Sequence, residues 1–461
     1  MQRAAARHRS RPSAPVFALS MVQFVDVLGV TSVVTAIPAM LDGVGADDSL
    51  AGLVATAYAM FFGGLLVLGS RLGQKYGRRR TLLTGLTTLV IASAIGALAT
   101  AGWQLVVARS LQGVASALSV PAALGLMLAS VPDEEVRGQA LALWSAAGAT
   151  AGALGFIVGG VLTDLLGWPA IFWINIPVSI VLALGVTSTV SAAPDRIPGL
   201  SLDVPGAAIL TTSVMALVLG SAFLEHGSTR HIGFMTIAAG CAGILLLVQW
   251  LRHAREPIIP LAAVRLRRLS IGTIGSFVNT ATTSSAGVLL TLYLQREQGL
   301  GPFMTGLLLL PISIAVIAGS ALAAPAMRRF KRRFVIGCGL GLIAIGNLAA
   351  AMALGSNPAL VVALLAIGLG LGLSSVACND IGTDVPEEHT PTAIGLLNTS
   401  AQLGTALGVG ALVLIASPSA YGQISGTAFA LAMTAVLAGL TAFSLARWTP
   451  SPDQLVGANT G

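Results

Sequence analysis

Fourteen apolar runs of about twenty residues follow one another along the chain, separated by short polar segments. A helix rises about 1.5 Å per residue, so one such run crosses the roughly 30 Å hydrocarbon layer of a bilayer. The runs lie near 16–41, 50–69, 82–101, 104–128, 138–162 and 169–191, then 204–224 and 232–251, then 270–293, 303–325, 334–354, 359–380, 393–416 and 427–447. In a bilayer every backbone N–H and C=O must be satisfied within its own segment, so these runs are read as helices. Composition agrees: 55% of residues are hydrophobic, 9% are charged and the mean hydropathy is +0.86. A soluble chain of this length carries about a quarter charged residues. The fold class is therefore an all-α polytopic membrane protein. The first run, Val16–Leu41, is too long for a signal-peptide core and is read as the first membrane helix.

Charge orients the runs. With the N-terminus in the cytoplasm, 22 of the 25 Lys and Arg residues fall in cytoplasmic segments, Arg230 and Arg296 fall outside, and Arg109 lies within a span. One missed or extra helix would invert half the loops and destroy this asymmetry. Both termini are expected in the cytoplasm, with Arg3, Arg7, Arg9 and Arg11 in the N-terminal tail. The net charge of +7 is thus an orientation signal, and no nucleic-acid partner is inferred from it. Cys241, Cys338 and Cys378 sit in apolar runs, and the five histidines lie near loops or termini. This gives neither a disulfide framework nor a metal-binding spacing, so no cofactor and no metal are expected, and no enzymatic constellation is visible. All cations but Lys75 and Lys331 are arginines, which with the abundance of Ala and Gly points to a GC-rich bacterial genome.

Between the second and third runs lies the basic, glycine-punctuated stretch Gly69–Arg80, G-S-R-L-G-Q-K-Y-G-R-R-R. Its glycines allow a tight turn and close helix approach. Met327–Arg333 is a counterpart between the tenth and eleventh runs, without the glycines. The layout suggests a repeat: a cytoplasmic tail over 1–15, a six-helix bundle over 16–191, two linker helices and a loop over 192–268, a second bundle over 269–447, and a cytoplasmic tail over 448–461.

Few groups within the spans can carry chemistry. Asp26 lies about ten residues into the first helix, roughly 15 Å deep. A carboxylate there costs at least about 2.5 kcal/mol to insert, so it is read either as a proton or cation site or as half of a buried structural pair. Glu225 sits at an outer helix end and Asp380 at an inner one, which leaves Asp26 as the deep acid. Arg109 in the fourth helix also needs a partner, and Asp26 is the most economical. A fixed helix-pairing bridge is the other reading of that residue. Arg109 and Gln112 share one helix face. Gly148, Gly152, Gly155, Gly159 and Gly160 form a smooth stripe on the fifth helix, suited to close packing. Asn279, with Thr280, Thr282 and Thr283, gives the ninth helix a polar patch that could line a cavity, and Asp380 is a second acidic candidate that can equally reach cytoplasmic water.

These segments carry a resemblance. Gly69–Arg80 resembles the loop between helices 2 and 3 of the major facilitator superfamily, G-x-L-A-D-R-x-G-R-R. Leu72, Gly77, Arg78 and Arg79 fall on it, with Gly69 for its leading glycine. Gly73 stands where the family has Ala and Gln74 where it has Asp, so the latch attributed to that Asp would be made differently here. Arg109, Gln112 and Gly113 match the family's R-x-x-Q-G motif, which is linked there to proton coupling. The helix-5 run resembles the antiporter motif ending G-P-x-x-G-G, with Phe156 in place of Pro. D-x-x-G-x-T from Asp26, with Ala36-Ile37-Pro38, is similar to the first helix of the fourteen-helix drug:proton antiporter branch. Residues 167–177, G-W-P-A-I-F-W-I-N-I-P, resemble that branch's sixth helix. The resemblance implies the major facilitator fold, two six-helix bundles plus two inserted helices. It implies a proton-coupled exporter of small amphipathic drugs or antibiotics in a bacterial inner membrane, with Asp26 and Arg109 as the coupling pair. The alternative on the same fold is an importer or facilitator of a small polar solute. Expected partners are a small-molecule substrate, protons and membrane lipid, and the chain is expected to act as a monomer.

Overall fold

The computed structural model describes residues 14–131, 134–190, 196–197, 201–224, 229–255, 257–259, 266–386, 390–416 and 426–447. The arginines at 3, 7, 9, 11 and 265, Glu225 and the tail after 447 lie outside the described residues. The described chain is helical: α1 Ala14–Gly43, α2 Leu50–Tyr76, α3 Arg78–Ala97, α4 Gly102–Ala129, α5 Glu134–Leu166, α6 Ala170–Thr189, α7 Val204–Leu224, α8 Arg230–His253, α9 Arg267–Leu292, α10 Pro302–Arg329, α11 Arg332–Met352, α12 Asn357–Thr383, α13 Thr390–Ala416 and α14 Gly426–Arg447. Each of the fourteen apolar runs falls on one of them. Among the described residues thirteen helices are long and apolar enough to cross a membrane. The fourteenth, α9, has 26 residues and is long enough, but its centre is rich in Ser and Thr. Several of those hydroxyls are satisfied at home: Thr282 and Thr283 both donate to the Asn279 carbonyl, at 3.1 and 2.8 Å.

Gly69–Arg80 is less of a turn than its glycines suggest. Helix α2 continues through Tyr76 and α3 begins at Arg78, so Gly77 alone separates them. Gly77 has φ +103°, which a side chain would disfavour, and its N–H still donates to the Gly73 carbonyl at 2.9 Å. Gly69 is therefore a packing residue: a Cβ there would fall on the Ala117 carbonyl of α4.

The chain divides into two compact units, Met1–Thr211 with Gly301–Gly306, and Thr212–Leu300 with Leu307–Gly461. The boundary falls inside α7, and α8 goes with the second unit. Within the first unit, Thr31 of α1 lies against Gly155 of α5, and the Ser32 carbonyl against Gly159. Within the second, Thr280 of α9 lies against Gly404 of α13, and the Ala281 carbonyl against Gly408, each residue 249 positions further on. The hydroxyl bond across the crossing recurs as well, Thr31 to the Ala151 carbonyl and Thr280 to the Ala401 carbonyl. Gly85 on Ser119 (α3 on α4) recurs as Gly339 on Ser374 (α11 on α12), and Gly113 on the Tyr58 carbonyl as Gly368 on the Ile312 carbonyl. Lipid tails are as apolar as core side chains, so close backbone contact is what holds such helices together. The repeat therefore survives in the glycines at crossings even where the basic turns have diverged.

Candidate functional site

In the first unit, three helices bring their polar residues to one place. Arg109, Gln112 and Ser116 sit at i, i+3 and i+7 of α4, on one face, and Val54 and Tyr58 sit at i and i+4 of α2. Gly113 sets their spacing. A Cβ there would fall on the Tyr58 carbonyl, so α2 and α4 meet backbone to backbone at the level where Tyr58 leaves its helix. Asp26 enters from α1.

The Tyr58 hydroxyl donates to Asp26 Oδ1 at 2.6 Å, and the Ser116 hydroxyl donates to the same oxygen. Oδ2 has no hydrogen-bond partner among the described residues. A proton can therefore arrive on Oδ2 while both hydroxyl bonds at Oδ1 persist. Arg109 does not pair directly with Asp26, as economy had suggested. Tyr58 intervenes: the Arg109 guanidinium carbon stands 5.0 Å from the centre of the Tyr58 ring. Arg109 is 2% exposed, and its charge is met by that ring face, by the Gln112 Oε1 acceptor at 2.8 Å and by the Val54 carbonyl at 3.5 Å. Gln112 in turn donates to Ser93 of α3 at 3.2 Å. The result is a chain from carboxylate through phenol to guanidinium, amide and hydroxyl, confined to α1–α4. At the corresponding positions of the second unit stand residues such as Gly275, Ile312, Leu364 and Ile367, which cannot form it.

The remaining candidates stand elsewhere. Gly73 and Gly77 form the α2–α3 junction, Arg78 lies along Gly125 of α4, and Arg79 donates to the Thr187 carbonyl of α6 at 3.0 Å. Gln74 contributes its backbone, accepting from the Ile197 N–H at 2.8 Å. Gly148, Gly155 and Gly159 face Gln23, Thr31 and Ser32 of α1, whereas Gly160 faces Pro302 and Phe303. Asp164, one turn beyond Gly160, accepts from the Phe303 N–H at 3.0 Å. In the second unit Asn279 is buried and donates to Ser375 of α12 at 2.8 Å. Asp380 is 40% exposed and pairs with Arg332 at 2.6 Å, in a network with Asp384 and Arg268. It is the partner of an arginine near a helix end, not a deep carboxyl.

Sequence reading missed Tyr58, Ser116 and Ser93. Ser116 continues the face of Arg109 and Gln112, a signal that was available. Tyr58 gave none beyond being one of four tyrosines. Tyr58→Phe keeps the ring over Arg109 and removes the bond to Asp26. A hydrogen bond to a charged group is worth about 1.5–3 kcal/mol, so we expect activity to fall about tenfold with a drop of only a few degrees in the unfolding temperature. Tyr58→Leu should lower both. Unchanged activity of Tyr58→Phe would remove the phenol from the mechanism.

A model of the Major Facilitator Superfamily matches residues 19–251 and 272–460. The chain is 31% identical to the lincomycin resistance protein of Streptomyces lincolnensis, over 98% of this chain and 94% of that one. It is also 31% identical to the tetracenomycin C resistance and export protein of Streptomyces glaucescens, over 89% of this chain and 77% of that one. Among solved structures, a POT family transporter in complex with a thioalcohol-conjugated peptide matches with TM-score 0.71 at 12% identity, covering 94% of both chains. That likeness is one of fold.

Proposed function

The chain belongs to the Major Facilitator Superfamily, and from that premise we propose that it exports small amphipathic drugs or antibiotics in exchange for protons, by alternating access. It is a multi-pass membrane protein of a transporter family. Resistance and export proteins as its relatives support export of a small-molecule substrate over uptake. One observation carries the proton: Asp26, within a membrane helix, has one oxygen held by two hydroxyls and the other without a hydrogen bond among the described residues. In the cycle we propose, Asp26 takes a proton at Oδ2 from the outer side and gives it up inside as substrate binds. A cationic substrate would displace it directly. Tyr58 passes the resulting change of charge to Arg109, and Gln112 and Ser93 hold that guanidinium in place through both states. The two units, in this reading, are the bundles that rock about the substrate.

A susceptibility panel in an efflux-deficient host, with and without the gene, tests the proposal. Raised tolerance to amphipathic compounds that collapses with the proton gradient is expected. No change in tolerance, together with uptake of a labelled polar solute, would overturn it. We further propose that the protein acts as a monomer in the bacterial inner membrane, and, on the 22-to-2 division of cations, that both termini are cytoplasmic. A reporter fused after Arg447 should read cytoplasmic, and an external signal would reverse the topology.

A further inference from the structure

We propose that the junction of α10 and α11 is a seat for the headgroup of an anionic phospholipid. Helix α10 ends at Arg329 and α11 opens at Arg332, so only Phe330 and Lys331 lie between. The backbone is fixed there: the Phe330 N–H donates to the Ala326 carbonyl at 2.8 Å and the Val335 N–H to the Lys331 carbonyl at 3.2 Å. Arg332 is already engaged, with Asp380 and Asp384. Arg328, Arg329 and Lys331 are exposed and make no ion pair among the described residues. Beside them Phe330 and Phe334 are each 51% exposed, with ring centres 5.5 Å apart.

Three exposed cations without an ion pair among the described residues, next to two outward aromatic rings, make a site with two halves. The rings suit the boundary between headgroups and acyl chains, and the cations suit a phosphate carrying net negative charge. A zwitterionic headgroup would satisfy the rings but leave much of the charge unmet. At the other basic junction Arg78 lies along α4 and Arg79 is bonded to Thr187, and a single ring, Tyr76, stands exposed beside Lys75. The seat rests on the chain being a membrane protein with this junction at the bilayer surface, and on nothing about cargo or direction.

The test is lipid retention by the purified full-length protein in native mass spectrometry, with phosphatidylglycerol or phosphatidylcholine added. The wild type should retain phosphatidylglycerol preferentially. The triple variant R328Q/R329Q/K331Q should lose that retention by on the order of 100-fold. F330S/F334S, with its charges intact, should lose part of it. K75Q/R80Q/R252Q, which removes three cations elsewhere, should behave as wild type. Equal retention by the two triple variants, or equal retention of the two lipids by the wild type, would overturn the seat. Full retention by F330S/F334S would overturn its aromatic half. Normal drug export without headgroup preference would overturn this inference alone, and preference without export would overturn the proposed function alone.

Discussion

Asp26→Asn should abolish proton-coupled efflux while the protein still inserts and folds. The amide is isosteric with the carboxylate, and its oxygen can keep the hydroxyl bonds from Tyr58 and Ser116. What it loses is the oxygen that takes up a proton, so the two protonation states collapse into one. Removing a buried charge also lowers the insertion cost of α1, which argues against misfolding as the cause of failure. Asp26→Glu keeps the titratable group but moves it by one methylene from donors that are fixed on α2 and α4, so partial activity is expected. The measurements are substrate-induced proton release from purified protein and efflux in cells. Export against a gradient with undiminished proton release by Asp26→Asn would place coupling elsewhere. Asp380 would be a poor substitute, being 40% exposed and paired with Arg332.

Gly159→Leu should likewise eliminate transport at unchanged expression. A Cβ at Gly159 would fall on the Ser32 carbonyl and stand 2.7 Å from the Ser32 Cα, so the obstacle is backbone and cannot rotate away. Overpacking of that kind costs about 1–3 kcal/mol or more, and here it would separate α5 from the helix that carries Asp26. Gly152 belongs to the same stripe, yet a Cβ there meets only Val27 Cγ1, at 3.8 Å, an ordinary contact. Gly152→Ala should therefore transport nearly as wild type, although spacing alone makes the two glycines equivalent. Normal efflux from Gly159→Leu would discard the close-packing account of the stripe.

The difference between Gly152 and Gly159 illustrates where sequence reading stops. Periodicity places residues on a face, but how near the opposing helix comes depends on crossing angle and on the residues it presents. The same limit hid Tyr58. A deep Asp and a deep Arg on different helices invite pairing, because each is costly alone. Distance decides otherwise: the Gly113 contact draws α2 against α4, and the phenol is interposed between the two charges.

By itself the sequence determined the membrane-spanning class, the order of the helices and the deep charged residues, because twenty-residue apolarity and the expense of a buried charge are properties of single segments. It also marked the glycines at which helices could cross. Only the tertiary structure decided which of those glycines bear backbone contact, that the R-x-x-Q-G face reaches Asp26 through Tyr58 and Ser116, and that Arg332 turns to Asp380 while Arg328, Arg329 and Lys331 stay exposed. These are relations between segments far apart in the chain, and they are fixed by interhelical packing distances that no local pattern encodes.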